Sequence, residues 1–248
     1  VSLAVLNLLT ADDLVAVLLS LKVACAATIG GLPFALAAAW VLARGPFPGR
    51  ALLDALIHLP LVLPPVATGF ALLVLLGHRG WIGRPLEAIG VVLAFRWTGA
   101  ALAAAIMAFP LMVRPMRQAF EAIDPEALEA AQTLGASRAQ RFVRISLPLA
   151  ASGIVAAAVL GFARALGEFG ATITFVAAIP GETLTLPADI YQATQTPGAE
   201  ARTLVLCAIS AAIALGAILL SEIFQRGAGG NATRRSGVRA PPEAGTEA

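Results

Sequence analysis

Charge is what this chain is short of. Only 13% of its 248 residues are Asp, Glu, Lys or Arg, while 58% are hydrophobic, and the mean hydropathy is +0.84. An average soluble domain carries about 25% charged residues. So few ionic groups do not cover the surface of a core this size in water, which excludes a soluble globular enzyme. Aromatics are scarce as well, at 6% with a single Tyr, so there is little to stack nucleic-acid bases. A net charge of +2 does not suit a polyanionic partner. The one lysine, Lys22, follows Ser20-Leu21 with no glycine. The chain therefore lacks a Walker A loop, Gly-x-x-x-x-Gly-Lys-Ser/Thr, and any ATP hydrolysis falls to a separate subunit. The two histidines, His58 and His78, are isolated, and no Cys/His cluster has metal-ligand spacing. Paired carboxylates at membrane depth are missing too. Cys25 and Cys207 sit in long apolar runs and read as small buried hydrophobes. No basic residue precedes Lys22, so the small residues 35–39 are not read as a signal cleavage site. What remains is an all-α integral membrane protein without a catalytic constellation.

Crossing the hydrocarbon core takes about 20 mostly apolar residues, necessarily helical. Five stretches qualify: residues 14–42, 51–76, 88–113, 147–166 and 203–224. A sixth, residues 169–179, ends at Pro180-Gly181 and is too short to cross, so it reads as re-entrant or interfacial. Arg44 and Arg50 follow the first span; Arg114, Arg117, Arg138, Arg141 and Arg144 follow the third; Arg226, Arg234, Arg235 and Arg239 follow the fifth. The opposite side carries only Arg79, Arg84 and Arg202, with Asp12 and Asp13. The positive-inside rule then predicts the N-terminus outside and the C-terminus inside. The membrane domain is taken as residues 10–226. Residues 1–9 read as an interfacial lead-in, and the Gly/Pro/Ala/Arg-rich residues 227–248 as a disordered cytoplasmic tail. Thr10-x-x-Asp13 resembles a capping box opening the first span.

The connection at residues 114–146 is long and rich in helix signals. Asp124, Pro125 and Glu126 open a helix. Ala127, Leu128, Ala131 and Leu134 form its apolar face, and Gly135 ends it. Ser137-x-x-Gln140 is a second capping box, opening a basic helix through Arg138, Arg141 and Arg144, and Pro148 marks re-entry into the membrane. Two consecutive capped helices are either a passive linker riding on headgroups or a docking element for a cytoplasmic partner.

The run Glu129-Ala130-Ala131-Gln132-Thr133-Leu134-Gly135, followed by Ile145-Ser146-Leu147-Pro148, resembles the EAA loop of ABC-importer permeases at every fixed position. Residues 57–65, IHLPLVLPP, residues 164–175, RALGEFGATITF, and Gln195-Thr196-Pro197-Gly198 are similar to the molybdate permease group, over roughly residues 12–225. The resemblance implies a five-span type I permease bundle in the bacterial inner membrane. It would pair with a second copy of itself, be driven by an ABC ATPase dimer that holds ATP and Mg, and be fed by an extracytoplasmic oxyanion-binding protein. No cofactor on this chain and no nucleic acid are implied. Glu129, Ala130, Ala131, Leu134 and Gly135 would contact the ATPase. Sulfate and tungstate permeases are close relatives, so those anions stand beside molybdate.

Ionisable groups within spans are costly and point to function. Lys22, Asp54 and Arg96 lie near span ends and can reach an interface. Arg164 and Glu168, four apart, can pair. They either brace the end of the fourth span or, with Gly167, Gly170, Thr172 and Thr174, form a gate or path whose contacts are weak enough to release an anion. Pro33, Pro60, Pro64, Pro65 and Pro110 either hinge the bundle or shape it around a path. The rivals are an ion-driven secondary transporter, which would need midplane carboxylates and internal repeats, and a membrane-embedded enzyme.

Overall fold

A computed structural model describes residues 9–233, with no strand among them. Most of the expected lead-in and residues 234–248 of the expected tail lie outside the described residues. α1 (Ala11–Ala43) opens on the capping box: the Thr10 N–H donates to Asp13 at 2.6 Å, and the Asp13 N–H donates to the Thr10 hydroxyl at 3.3 Å. α2 (Arg50–Val62) and α3 (Pro65–Leu76) fill the second apolar stretch but are bent by 111° at their junction. The cause is local. Proline drives the residue before it out of the α region, and Leu63 and Pro64 are extended, at ψ 142° and 132°. A short α4 (Gly83–Ala88) lies in the next connection.

α5 (Trp97–Glu121) starts later and runs further than the expected span 88–113, because residues 89–96 turn before entering the helix and Phe95 takes φ +58°. Beyond it come α6 (Pro125–Thr133), α7 (Arg138–Arg141) and a π-helical segment (Phe142–Ser146). These lead through Leu147–Leu149 to α8 (Ala151–Leu166). The predicted basic helix therefore runs on into Leu147–Leu149, the expected start of the fourth span, which begins instead at Ala151. Arg138–Leu149 is one helical arm, set at 67° to α8. α9 (Gly170–Val176), α10 (Leu186–Thr194) and α11 (Glu200–Thr233) complete the chain. α11 continues past residue 226, into the stretch read as tail. α1, α5 and Glu200–Leu219 are long and apolar enough to cross a membrane, and five crossings result if each bent pair counts as one.

The core is the meeting of α1, α5 and α8. Its floor is alanine: Ala24, Ala35, Ala39, Ala100, Ala103, Ala104, Ala108 and Ala157 are all fully buried, with Met107, Met112 and Met116 filling between them. Lipid tails are as apolar as leucine, so helices in a bilayer gain by bringing backbones close rather than by hiding hydrocarbon. Large apolar side chains accordingly point outward, Leu18, Phe34 and Leu204 among them. Cys25 and Cys207 are likewise free and exposed on this chain, contrary to the buried reading. A run that is apolar all round the helix gives no sign of which face meets protein.

α9 is short but not peripheral. It packs on α3 and α5, burying Ala171, Thr172, Phe175 and Val176. The approach to α3 is close: a Cβ on Gly69 would meet the backbone of Ala171, and one on Gly170 would lie 2.7 Å from the Pro65 Cβ. A Gly69→Val variant should therefore lose about 1–3 kcal/mol of stability to overpacking. Gly30→Ala, whose new methyl would meet nothing within 4 Å, should be neutral. Thermal unfolding in detergent separates the two; equal midpoints would refute the close α3–α9 contact.

Candidate functional site

α6 and α7 form the most exposed ordered element. The Asp124 carboxylate accepts from the Glu126 N–H at 2.9 Å, and Pro125 occupies the first turn. At the other end Gly135 takes φ +83°. Its N–H donates to the Gln132 carbonyl at 2.9 Å, and that of Ala136 to the Ala131 carbonyl at 3.0 Å, closing a Schellman turn. The Ser137–Gln140 capping box is reciprocal, at 2.8 and 3.3 Å. Every terminal signal in the sequence is thus used.

None of the α6 residues is buried. Leu128 and Ala131 are half-buried, whereas Ala127, Glu129 and Ala130 are exposed. Leu134 is 88% exposed. The apolar face splits: one edge leans back toward the chain, and the other is bare.

The Arg164–Glu168 pair forms as the spacing predicts, at 2.6 Å, with the Glu168 side chain 1% exposed and that of Arg164 26%. Glu168 does a second job the sequence did not suggest. Its other oxygen accepts from the Ala171 N–H at 2.8 Å, capping α9. The Thr172 hydroxyl donates to the Phe169 carbonyl at 2.9 Å and that of Thr174 to the Gly170 carbonyl at 2.9 Å. In this conformation neither hydroxyl has a proton left for an oxyanion. α9 ends at Ala177, φ +62°, an unfavourable backbone for a residue with a Cβ. A cavity of about 590 Å³ among α1, α2 and α5 is lined by Gly30, Phe34, Leu56, Pro60 and Phe109, and offers a dianion no side-chain donor.

Two ionic clusters were missed by sequence reasoning because their members lie far apart in the chain. At one end of the bundle Arg202 bridges two buried carboxylates, Asp13 and Asp189, holding the latter at 2.8 Å. This ties the starts of α1 and α11 to α10. Burial pushes Asp189 up from its ordinary 3.8 to about 6, with the Asp13 carboxylate adding to the rise and Arg202 opposing it. At the other end Arg117 reaches Asp54 at 3.0 Å and Glu121 at 2.8 Å, and Arg50 joins Glu121 at 3.3 Å, locking α2 to α5.

The isolated polar residues have partners too. His58 Nδ1 donates to the Asp54 carbonyl at 2.8 Å. His78 lies 3.1 Å from Glu87, and Lys22 rests 3.7 Å from the centre of the Trp97 ring. Among the described residues no three His, Cys, Asp or Glu side chains gather to hold a metal ion.

A helical bundle with an ion cluster at each end, and a doubly capped, exposed helix pair beyond one of them, has the make-up of a multi-span membrane protein. The chain belongs to the family of binding-protein-dependent transport system inner membrane components, whose sequence pattern matches residues 31–228. It is 54% identical over 220 residues to the molybdenum transport system permease protein ModB of Escherichia coli, covering 88% of this chain and 96% of that one. It is 50% identical over 211 residues to ModB of Haemophilus influenzae (85% and 92%), and 38% identical over 199 residues to the sulfate permease CysW of Synechocystis (79% and 71%). The fold is similar to that of a bacterial alginate ABC transporter, with TM-score 0.70, 19% identity, and 88% and 80% of the two chains covered.

The Asp13–Arg202–Asp189 cluster makes stability depend on pH. The folded chain holds the Asp189 proton more tightly than the unfolded chain, so that residue's contribution is complete below its ordinary 3.8 and is lost as pH rises through about 6. Asp13, raised by burial but held down at about 2 by Arg202, contributes instead above 3.8 and loses that contribution only as pH falls through about 2. Asp189→Asn should flatten that decline in a pH series of unfolding midpoints; an unchanged decline would acquit Asp189. Arg202→Met, which strands two buried carboxylates, should cost about 3 kcal/mol or more.

Proposed function

We propose that this chain is the permease subunit of an ATP-driven importer of molybdate. It forms the translocation path with a second copy of itself and couples that path to a separate ABC ATPase dimer, which carries the ATP and Mg. The observation that carries the reading is the 54% identity to ModB across 96% of that relative's length. The weaker match to a sulfate permease, at 38%, keeps sulfate as the second anion. An extracytoplasmic binding protein delivers the substrate; in support, a solved alginate transporter of similar fold is described in complex with its periplasmic protein.

The chain crosses the membrane five times, N-terminus outside. The arginine distribution supports this, and so does the geometry. Asp13 and Arg202 meet at one end of the bundle. The far end of α1, at Trp40 and Arg44, lies beside the α6–α7 loop. Glu129, Ala130, Ala131, Leu134 and Gly135 seat the loop on the ATPase. The small alanines allow close approach, and bare Leu134 supplies the apolar anchor that a lone surface helix gains nothing by displaying.

The segment around Arg164, Glu168, Gly170, Thr172 and Thr174 is the gate. Its charges are paired and its hydroxyls turned onto their own carbonyls, the arrangement of a path that is shut. Opening would free these groups to replace part of the water around a tetrahedral dianion.

Membrane vesicles holding permease and ATPase should take up labelled molybdate with ATP, and an ionophore should not stop them. Uptake that survives without the ATPase and fails with the ionophore would make this an ion-driven transporter instead. Leu134→Asp should leave the amount of membrane-inserted protein unchanged and cut ATPase co-purification at least about tenfold, the loss expected of one buried anchor. Gly135→Pro should do the same by destroying the φ +83° turn. Normal co-purification of both would remove the loop from the interface.

A further inference from the structure

A cavity of about 310 Å³ lies where the end of α1 meets the arm that leads into α8. Three guanidiniums line it, those of Arg44, Arg138 and Arg141. None of the three forms an ion pair among the described residues. Its inner wall is aromatic and fixed: Trp40 stacks edge-on to Phe142 at 4.7 Å and to Phe120 at 5.2 Å, and Arg44 rests 4.8 Å above the Trp40 ring.

Two polar atoms on this lining are buried without a hydrogen-bond partner, Arg141 Nε and the hydroxyl oxygen of Ser146. Ser146 is fully buried. Arg141 is already anchored, its Nη1 donating to Gln132 at 2.7 Å, so the guanidinium is held while its Nε–H stays free. Burying such donors unpaired is costly. A single water would satisfy one or both of them but would bring no negative charge to the three guanidiniums, of which Arg44 and Arg138 also face solvent.

We propose that this cavity is a binding site for a phosphate-class oxyanion, received by the Arg141 Nε–H and the Ser146 hydroxyl and neutralised by Arg44 and Arg138. Planar guanidinium donors and a hydroxyl suit a tetrahedral oxyanion. The group comes either from a lipid headgroup or from free anion in solution. Bound there, it would bridge α1 to the arm carrying Arg138 and Arg141, stiffening the attachment of the α6–α7 loop to the bundle. The cytoplasmic placement of the site rests on the orientation proposed above; the site itself does not.

The test uses the full chain purified in a maltoside detergent, at constant ionic strength set with chloride. Orthophosphate should raise the unfolding midpoint by about 2–4 °C in the wild type. The rise should vanish in Arg141→Gln and Ser146→Ala and shrink in Arg138→Gln, whose exposed position carries no folding risk. In a second arm the chain is reconstituted in nanodiscs of phosphatidylcholine with or without phosphatidylglycerol and examined by native mass spectrometry. Phosphatidylglycerol retained by the wild type and lost by the same variants assigns the site to a headgroup; the orthophosphate effect alone assigns it to free anion. Failure of both arms overturns the proposal, as does a midpoint rise equal in wild type and all three variants. Stabilisation by the ATPase but by neither anion would give these arginines to a protein partner, and also overturns it. ATPase binding read separately keeps this result distinct from failure of the coupling assignment.

Discussion

A bundle in lipid cannot be held by the aversion of its side chains to water, and the rest of this structure follows from that. The helices hold by contact between small residues, so the centre of α1, α5 and α8 is alanine, with methionines as adaptable filler between backbones that nearly touch. The same economy governs α9, brought against α3 where glycines leave no side chain in the way. Close packing of this kind tolerates sliding and bending poorly. The sharp changes of helix direction fall at the breaks, at Leu63-Pro64 in the second stretch and at Ala150 before α8.

Charge is excluded from that middle and concentrated at its ends, where it acts as rivets. One end joins α1, α10 and α11 through Arg202; the other joins α2 and α5 through Arg117. Arg164 and Glu168 differ, because Glu168 both neutralises an arginine and caps a short helix. Anything that draws Arg164 away would also disturb α9, which is how a local electrostatic change could alter the packing of α9 on α3. The arm Arg138–Leu149 meets, at a bend, the same helix that carries Arg164.

The parts legible in the sequence were those set by neighbours a few residues away. The Asp124, Ser137 and Thr10 caps and the Gly135 turn depend only on local hydrogen bonds, and each stands where its residues said it would. The Arg164–Glu168 pair, one helical turn apart, was legible for the same reason. What escaped was set by distant partners. Asp13 and Arg202 are 189 residues apart, and no pattern in the chain joins them. The apolar stretch containing residues 89–96 has the composition of a span but turns instead, since hydropathy measures solubility in lipid and not backbone direction. Cys25 and Cys207 look like core residues for that same reason: in a membrane, apolar does not mean inside.

If a separate ATPase grips and moves this chain at the α6–α7 loop, as proposed above, cross-linking will catch the contact. With Cys25 and Cys207 replaced by alanine, a Leu134→Cys chain is expressed with its ATPase and treated in native membranes with a short thiol–amine cross-linker. A one-to-one adduct with the ATPase should form, and its yield should change when ATP is added. A thiol at position 134 that reacts only with lipid-phase reagents, and never with the ATPase in either nucleotide state, would contradict it.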